Sequence, residues 1–164
     1  MTLMIRGEAP DDLEFIDQLT RAAFDRDDEA NRLNRLRDDG DLVLSLVAAH
    51  KERILGHVAF SPVFLDGVFR NWLGLGPISV WPNHQSTGIG SALITEGLAR
   101  LRQQKISGCI LIGNPKYYSR FGFIGDEAIS YRDFPIGIAQ WISLSDETPS
   151  GVLTYSPGLE LADV

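Results

Sequence analysis

The spacing of apolar positions changes several times along the chain, and each change marks an element. "LMIRG" begins as a short strand and breaks at Pro10; Asp11 and Asp12 then open a helix, where carboxylates suit the positive end of the dipole. Leu13, Ile16, Leu19 and Ala23, with Phe24 on the flank, recur near the helical period and give that helix an apolar stripe. "DDEANRLNRLRDDG" predicts a second, more polar helix that turns Leu33 and Leu36 inward and ends at Gly40. The rhythm then shifts to strands. "LVLSLVAAH" (42–50) and "ILGHVAFSPVFL" (54–65) are joined through the polar "KER", and the second runs into Asp66-Gly67, a strong hairpin signal.

"NWLGLGPISVW" follows as a third neighbouring strand, then a loop, then a helix from about 88 to 104 whose buried face is Leu93, Ile94, Gly97, Leu98 and Leu101. "GCILIG" (108–113) reads as a short apolar strand, "PKYYSRF" as a brief helix, and "FGFI" leads into another strand. Strand-like pieces return around 138–144 and 151–155. Consecutive strands, then a helix, then a strand predict an α/β fold: a mixed sheet covered by helices. At 164 residues without repeats or a low-complexity linker, one domain over 1–164 is expected.

Charge narrows the partners. Fifteen Lys and Arg stand against 22 Asp and Glu, a net −7, with no basic block. A nucleic acid or an anionic membrane needs a basic footprint, so neither is expected; a cationic substrate suits the sign better. The acidic stretch Asp25, Asp27, Asp28 and Glu29 suits a polyamine, an aminoglycoside or a protein N-terminus, and equally a solvated helix start. No run approaches a membrane span, and the first eight residues hold no apolar stretch of signal-peptide length, which predicts a cytoplasmic protein. The single Cys109 excludes an internal disulfide and a Cys-based zinc site, and no metal is expected. Within "CILI" it reads as a small buried hydrophobe.

Two features depart from a plain sheet. Pro77 lacks an N–H and cannot sit in a fully paired central strand, so a bulge or an opened edge is expected there. Such a bulge leaves backbone groups near Ile78, Ser79 and Val80 unpaired. Directly downstream, "HQSTGIGSALI" sets Gly88 and Gly90 ahead of a helix whose N-terminus offers free N–H groups and a positive dipole end. One extended ligand can use both, with an amide-bearing arm along the strand and a pyrophosphate at the helix. A dinucleotide fingerprint fails because Leu93 holds its third glycine position, and a P-loop fails because no lysine follows Gly90.

Gln85-x-x-Gly88-x-Gly90 after a bulged strand and "VWP" resembles the acetyl-coenzyme A signature of the GNAT superfamily of N-acetyltransferases. "SLVAAHKERILGHVAFSPV" is similar to the family's second and third strands, "LGLGPISVWPNHQSTGIGSALI" to its fourth strand, loop and third helix, and "GNPKYYSRFGF" to its "Y-x-x-x-GF" segment. Within the family, the pattern resembles the bacterial branch called YhbS-like. The resemblance covers residues 3 to 125.

The resemblance implies a GNAT fold whose bulged fourth strand splays from its neighbour, and acetyl-CoA as cosubstrate. It implies contacts from Ile78, Ser79, Val80, Gln85, Ser86, Thr87, Gly88, Ile89, Gly90 and Ser91, an oxyanion held by a strand N–H around 78–80, and an amine acceptor. Ser86 and Thr87 stand where relatives often carry a basic residue, so phosphate binding would rest on N–H groups and hydroxyls. Tyr118 falls where many members place an acid that protonates the departing thiolate; Tyr117 reads as aromatic packing. For the base, the fourth strand offers no carboxylate. Glu8, His57 and His84 are the visible alternatives, beside a water chain or an acceptor already neutral. A GNAT-fold module that binds acyl-CoA without chemistry is the alternative function, and assembly as a homodimer is left open.

Overall fold

The computed structural model describes residues 2–160, so the expected domain of 1–164 extends beyond them at Met1 and 161–164. Strands β1 (Met4–Gly7), β2 (Leu44–His50), β3 (Arg53–Leu65) and β4 (Trp72–Val80) run antiparallel to one another in chain order. β5 (Gly108–Ile112) joins β4 in parallel, and β8 (Ala139–Ser143) follows β5 antiparallel, with the two-residue β6 (Ile124–Gly125) outside it. The order is β1-β2-β3-β4-β5-β8-β6, a mixed sheet. The last strand, β9 (Gly151–Tyr155), pairs with Val63–Leu65 at the end of β3 and with β7 (Ile129–Ser130).

Helices cover both faces. α1 (Leu13–Phe24) and α2 (Asp28–Asp38) bring Ile16, Leu19 and Leu33 onto Val47, Ala49, Ile54 and Ala59. On the opposite face, α3 (Ile89–Gln103) lays Leu93, Ile94, Leu98 and Leu101 against Leu46, Val58 and Phe60. Alternate β3 residues therefore meet different helices, as the two-residue period of a strand requires. Gly97 lies flat against the Phe60 ring: a Cβ there would stand 2.5 Å from Phe60 Cζ. A third cluster of Val63, Trp72, Ile110, Tyr131 and Leu153 closes the far end of the sheet.

The proline does what its chemistry requires. Val58 pairs with Ile78 and Phe60 with Leu75, so β4 spends one residue more than β3 across Gly76-Pro77. That is a β-bulge. On its other side β4 meets β5 only through Trp72, Leu73 and Gly74. From Leu75 to Val80 the edge facing β5 is unpaired, and the two parallel strands diverge. Cys109 is fully buried in β5, and burial pushes its thiol pKa up, as expected of a small core hydrophobe.

Candidate active site

The divergence of β4 from β5 opens the sheet, and two hollows lie along the opened edge, one lined by Val80 and the other by Ile78. The first sits at the N-terminus of α3. Gly88 adopts φ +90°, a left-handed conformation that glycine takes without a Cβ penalty, and it turns the chain into the helix. The first backbone bond of α3 runs from Ala92 N–H to Gly88 O at 3.0 Å. The N–H groups of Ile89, Gly90 and Ser91 precede it, so they have no intrahelical acceptor and point out of the helix end. Val80, His84, Gln85, Ser86, Gly88, Gly90 and Ser91 all line this hollow.

The hollow does not gather every residue singled out in the sequence. Ile89 is buried in the core, and Thr87 turns its hydroxyl onto His84 O. The Gln85 amide donates to Val80 O at 3.1 Å and so ties the turn back to the strand. Ile78 lines the second hollow instead, while Ser79 is buried with its Oγ lacking a hydrogen-bond partner among the described residues. Asn114 caps the one-turn helix α4 (Pro115–Tyr118) by accepting from Lys116 N–H at 3.0 Å.

Tyr117, read from the sequence as aromatic packing, and Arg120, which the sequence did not single out, complete the first hollow. Tyr117 and Arg120 line it from α4 and the turn that follows. A Cβ on Gly90 would stand 3.3 Å from Tyr117 Oη, so the glycine makes room for that hydroxyl. The Arg120 guanidinium lies 4.6 Å above the centre of the Tyr117 ring, within cation–π range. A positive charge thus borders the first hollow from the side opposite the glycine loop. The signal was present as a Tyr and an Arg three residues apart, a spacing that puts both on one face of a helical turn.

The second hollow is a cavity of about 360 Å³ lined by Leu75, Gly76, Pro77, Ile78, Ile112 and Tyr118 at the split. α1, α2 and the C-terminal segment close it with Phe24, Arg26, Glu29, Arg32, Tyr131, Phe134, Tyr155 and Leu159. The adjacent tyrosines thus serve different hollows. Tyr118 packs edge-on against Tyr117 and Phe123, and a Cβ on Gly113 would fall 2.6 Å from its ring. Burial, with small repulsions from Tyr117 and Cys109, pushes the Tyr118 phenol up to about 12. It stays protonated throughout the neutral range.

Glu8, His57 and His84 do not line this cavity. His57 is fully buried on β3, with Nε2 2.8 Å from Ser45 Oγ. Ser45 donates to Glu8 Oε1, which fixes the proton order: the histidine donates from Nε2 to Ser45, leaving Nδ1 as a bare, unpartnered lone pair. Glu8 is held in turn by Arg37 at 2.9 and 3.2 Å. Burial, seconded by the Arg37 charge, lowers the His57 pKa to about 3. Two members of the acidic stretch have partners within the protein: Asp27 pairs with Arg21 at 2.9 Å and Glu29 with Arg26 at 2.5 Å.

The model of the acetyltransferase (GNAT) domain family matches residues 4–124. The uncharacterized N-acetyltransferase YhbS of Escherichia coli K12 is 40% identical over 122 residues, 74% of this chain and 73% of that protein. A crystal structure of a GNAT family acetyltransferase from Brucella melitensis in complex with acetyl-CoA superposes with a TM-score of 0.85 at 38% identity, covering 97% of this chain and 99% of the other. The structure of YhbS from Escherichia coli in complex with CoA gives 0.87 at 33% identity, over 95% and 91%. The bulged strand, its divergence from β5 and the glycine turn are thus set in a shared frame, and the chain belongs to the GNAT family of N-acetyltransferases.

Proposed function

We propose that the protein transfers the acetyl group of acetyl-CoA to a primary amine, with 1–164 working as one acetyltransferase domain. The observation that carries the reading is that one unpaired strand edge serves both hollows, through Val80 in the first and Ile78 in the second. The unpaired edge of β4 runs from the α3 N-terminus to Ile78, and Ile78 shares the 360 Å³ cavity with Tyr118. The solved relatives that hold acetyl-CoA or CoA support the choice of cosubstrate.

In this reading the N–H groups of Gly88, Ile89, Gly90 and Ser91 take the pyrophosphate, with Arg120 and the hydroxyls of Ser86, Ser91 and Tyr117 around it. Gln85 and Thr87 brace the turn. The backbone of Ile78, Ser79 and Val80 receives the amide-bearing arm, and a strand N–H there holds the carbonyl oxygen as it becomes an oxyanion. The amine enters from the α1–α2 side in its neutral form and forms its C–N bond to give the tetrahedral oxyanion. Its nitrogen then releases one proton to water, and the oxyanion collapses with cleavage of the C–S bond as Tyr118 donates to the departing sulfur. A free transfer from a phenol near 12 to a thiolate of ~8.5 runs uphill. The same burial that raises the phenol also raises the basicity of a thiolate formed beside it, which narrows that gap.

Free-thiol release from acetyl-CoA with a panel of primary amines tests the proposal. Tyr118→Phe deletes one oxygen and keeps the ring contacts, so kcat should fall by about 10²- to 10⁴-fold while the Kd for acetyl-CoA stays near wild type. Undiminished kcat would make Tyr118 a packing residue. Tight acetyl-CoA binding with no turnover on any amine would establish the acyl-CoA-binding module instead.

A further inference from the structure

The acceptor side of the 360 Å³ cavity carries two charged groups with unused hydrogen-bonding capacity, side by side. Glu29 is 6% exposed; its Oε1 takes the hydrogen bond from Arg26, while its Oε2 is buried with no donor in reach. Arg32, one helical turn further along α2, stands 3.8 Å away from that same oxygen. This separation lets the charges compensate each other but is too long for a hydrogen bond. Among the described residues the Arg32 guanidinium has no other acceptor, although its side chain is only 26% exposed. A buried carboxylate oxygen without a donor and a half-buried guanidinium without an acceptor are each costly on their own.

We infer that this pair receives the head group of an amino acid. Arg32 takes the carboxylate and Glu29 Oε2 takes the ammonium, while Phe24, Tyr131 and Phe134 enclose an apolar or aromatic side chain. A ligand that is donor and acceptor in one small group satisfies both residues together; a polycation satisfies only one. Local charge agrees. Arg26 and Arg32 outweigh Glu29 on the cavity wall even though the whole chain is net −7. The aromatic rings supply the contact area that an aliphatic or aromatic side chain needs. The inference rests on the acetyl-transfer reading for what then happens to the amine, but the binding step stands apart from it.

The test uses a matched set of probes: phenylalanine, phenylalanine amide, phenethylamine and hydrocinnamate. With acetyl-CoA saturating, thiol release should favour phenylalanine over its amide and over phenethylamine by about 10- to 100-fold in kcat/KM, because each lacks a charge-assisted bond to Arg32. Arg32→Gln should erase that preference through KM, and Arg32→Lys should restore part of it. Glu29→Gln should weaken phenylalanine but leave the affinity for hydrocinnamate, which has no amine, near wild type. Each variant is first checked for an unaltered melting temperature and acetyl-CoA affinity. Equal use of phenylalanine and phenethylamine, or a preference untouched by Arg32→Gln, overturns the inference while leaving the acetyl-transfer reading in place. If no probe is turned over, calorimetry on the CoA-loaded protein decides: binding of phenylalanine that Arg32→Gln abolishes upholds the head-group site, and no binding refutes it.

Discussion

His57 should make the fold sensitive to mild acid, and the size of the effect follows from its surroundings. Protonation would place an N–H at Nδ1, where no acceptor exists, inside a site with no exposure to solvent. Glu8 Oε1 lies 3.9 Å from Nε2, but that carboxylate is already neutralised by Arg37, which also repels a charged imidazole. Burial therefore dominates, and the folded-state pKa sits at about 3 against about 6.5 in the unfolded chain. Between those values the unfolded chain holds a proton that the folded one lacks. Stability is complete above the unfolded value and falls as pH drops, by at most about 1.4 kcal/mol per pH unit. At pH 5 the loss reaches about 2 kcal/mol, a large part of the ~5–15 kcal/mol typical of a domain. Urea unfolding at about pH 7.5 and about pH 5, for wild type and His57→Gln, isolates it, because carboxylates titrate alike in both proteins. Glutamine keeps a donor toward Ser45 but cannot take up the proton. The stability gap between the two proteins should change by about 2 kcal/mol between those conditions; a gap that stays constant refutes the reasoning.

Three further outcomes follow from contacts already described. Gly90→Val should lose most acetyl-CoA affinity while far-UV circular dichroism is unchanged, because its branches would fill the hollow that Tyr117 Oη borders at 3.3 Å; normal affinity would move the phosphate site elsewhere. Arg120→Ala should weaken CoA about five-fold at low salt and less at high salt, as expected of an exposed charge opposite phosphate, and a salt-independent loss would point to packing on Tyr117 instead. Gly97→Ala should lower the melting temperature by several degrees, since a methyl 2.5 Å from the fully buried Phe60 ring costs about 1–3 kcal/mol, and an unchanged value would show that the ring yields freely.

Local chemistry was the readable part of this sequence. Pro77 announced the bulge because a missing N–H is visible in one letter, and the glycine turn announced a helix end with free donors. The apolar stripes of α1 and α3 came through because burial on one helix face is periodic. Residues whose role depends on distant partners were not legible. The strand around 138–144 was foreseen, but not that it would lie between β5 and β6, nor that 151–155 would take over the end of β3. Tyr117 read as packing, and only the folded turn shows its hydroxyl beside Gly90. Glu29 sat in an acidic run indistinguishable from a solvated helix start until Arg26 and Arg32 were seen around it. The Glu8–Ser45–His57 line joins the segment after β1 to β2 and β3, and no spacing rule links those positions.

The C-terminal strand has a consequence for how such proteins change allegiance. β9 is stitched to the end of β3, which carries Tyr155 to the cavity wall, and Tyr131, Phe134 and Leu159 reach it from the same tail. All four lie after residue 124, where the family match stops, whereas the glycine turn, the bulge and Tyr118 lie before it. The lining of the cavity is thus drawn from both sides of the glycine turn in sequence: Phe24, Glu29 and Arg32 come before it, and the aromatic wall comes after it. Exchange of the segment after 124 between relatives, with the β3–β9 pairing kept in register, becomes a direct way to reshape that wall alone: a chimera would keep the glycine turn and the Glu29–Arg32 pair of one parent and take its aromatic enclosure from the other.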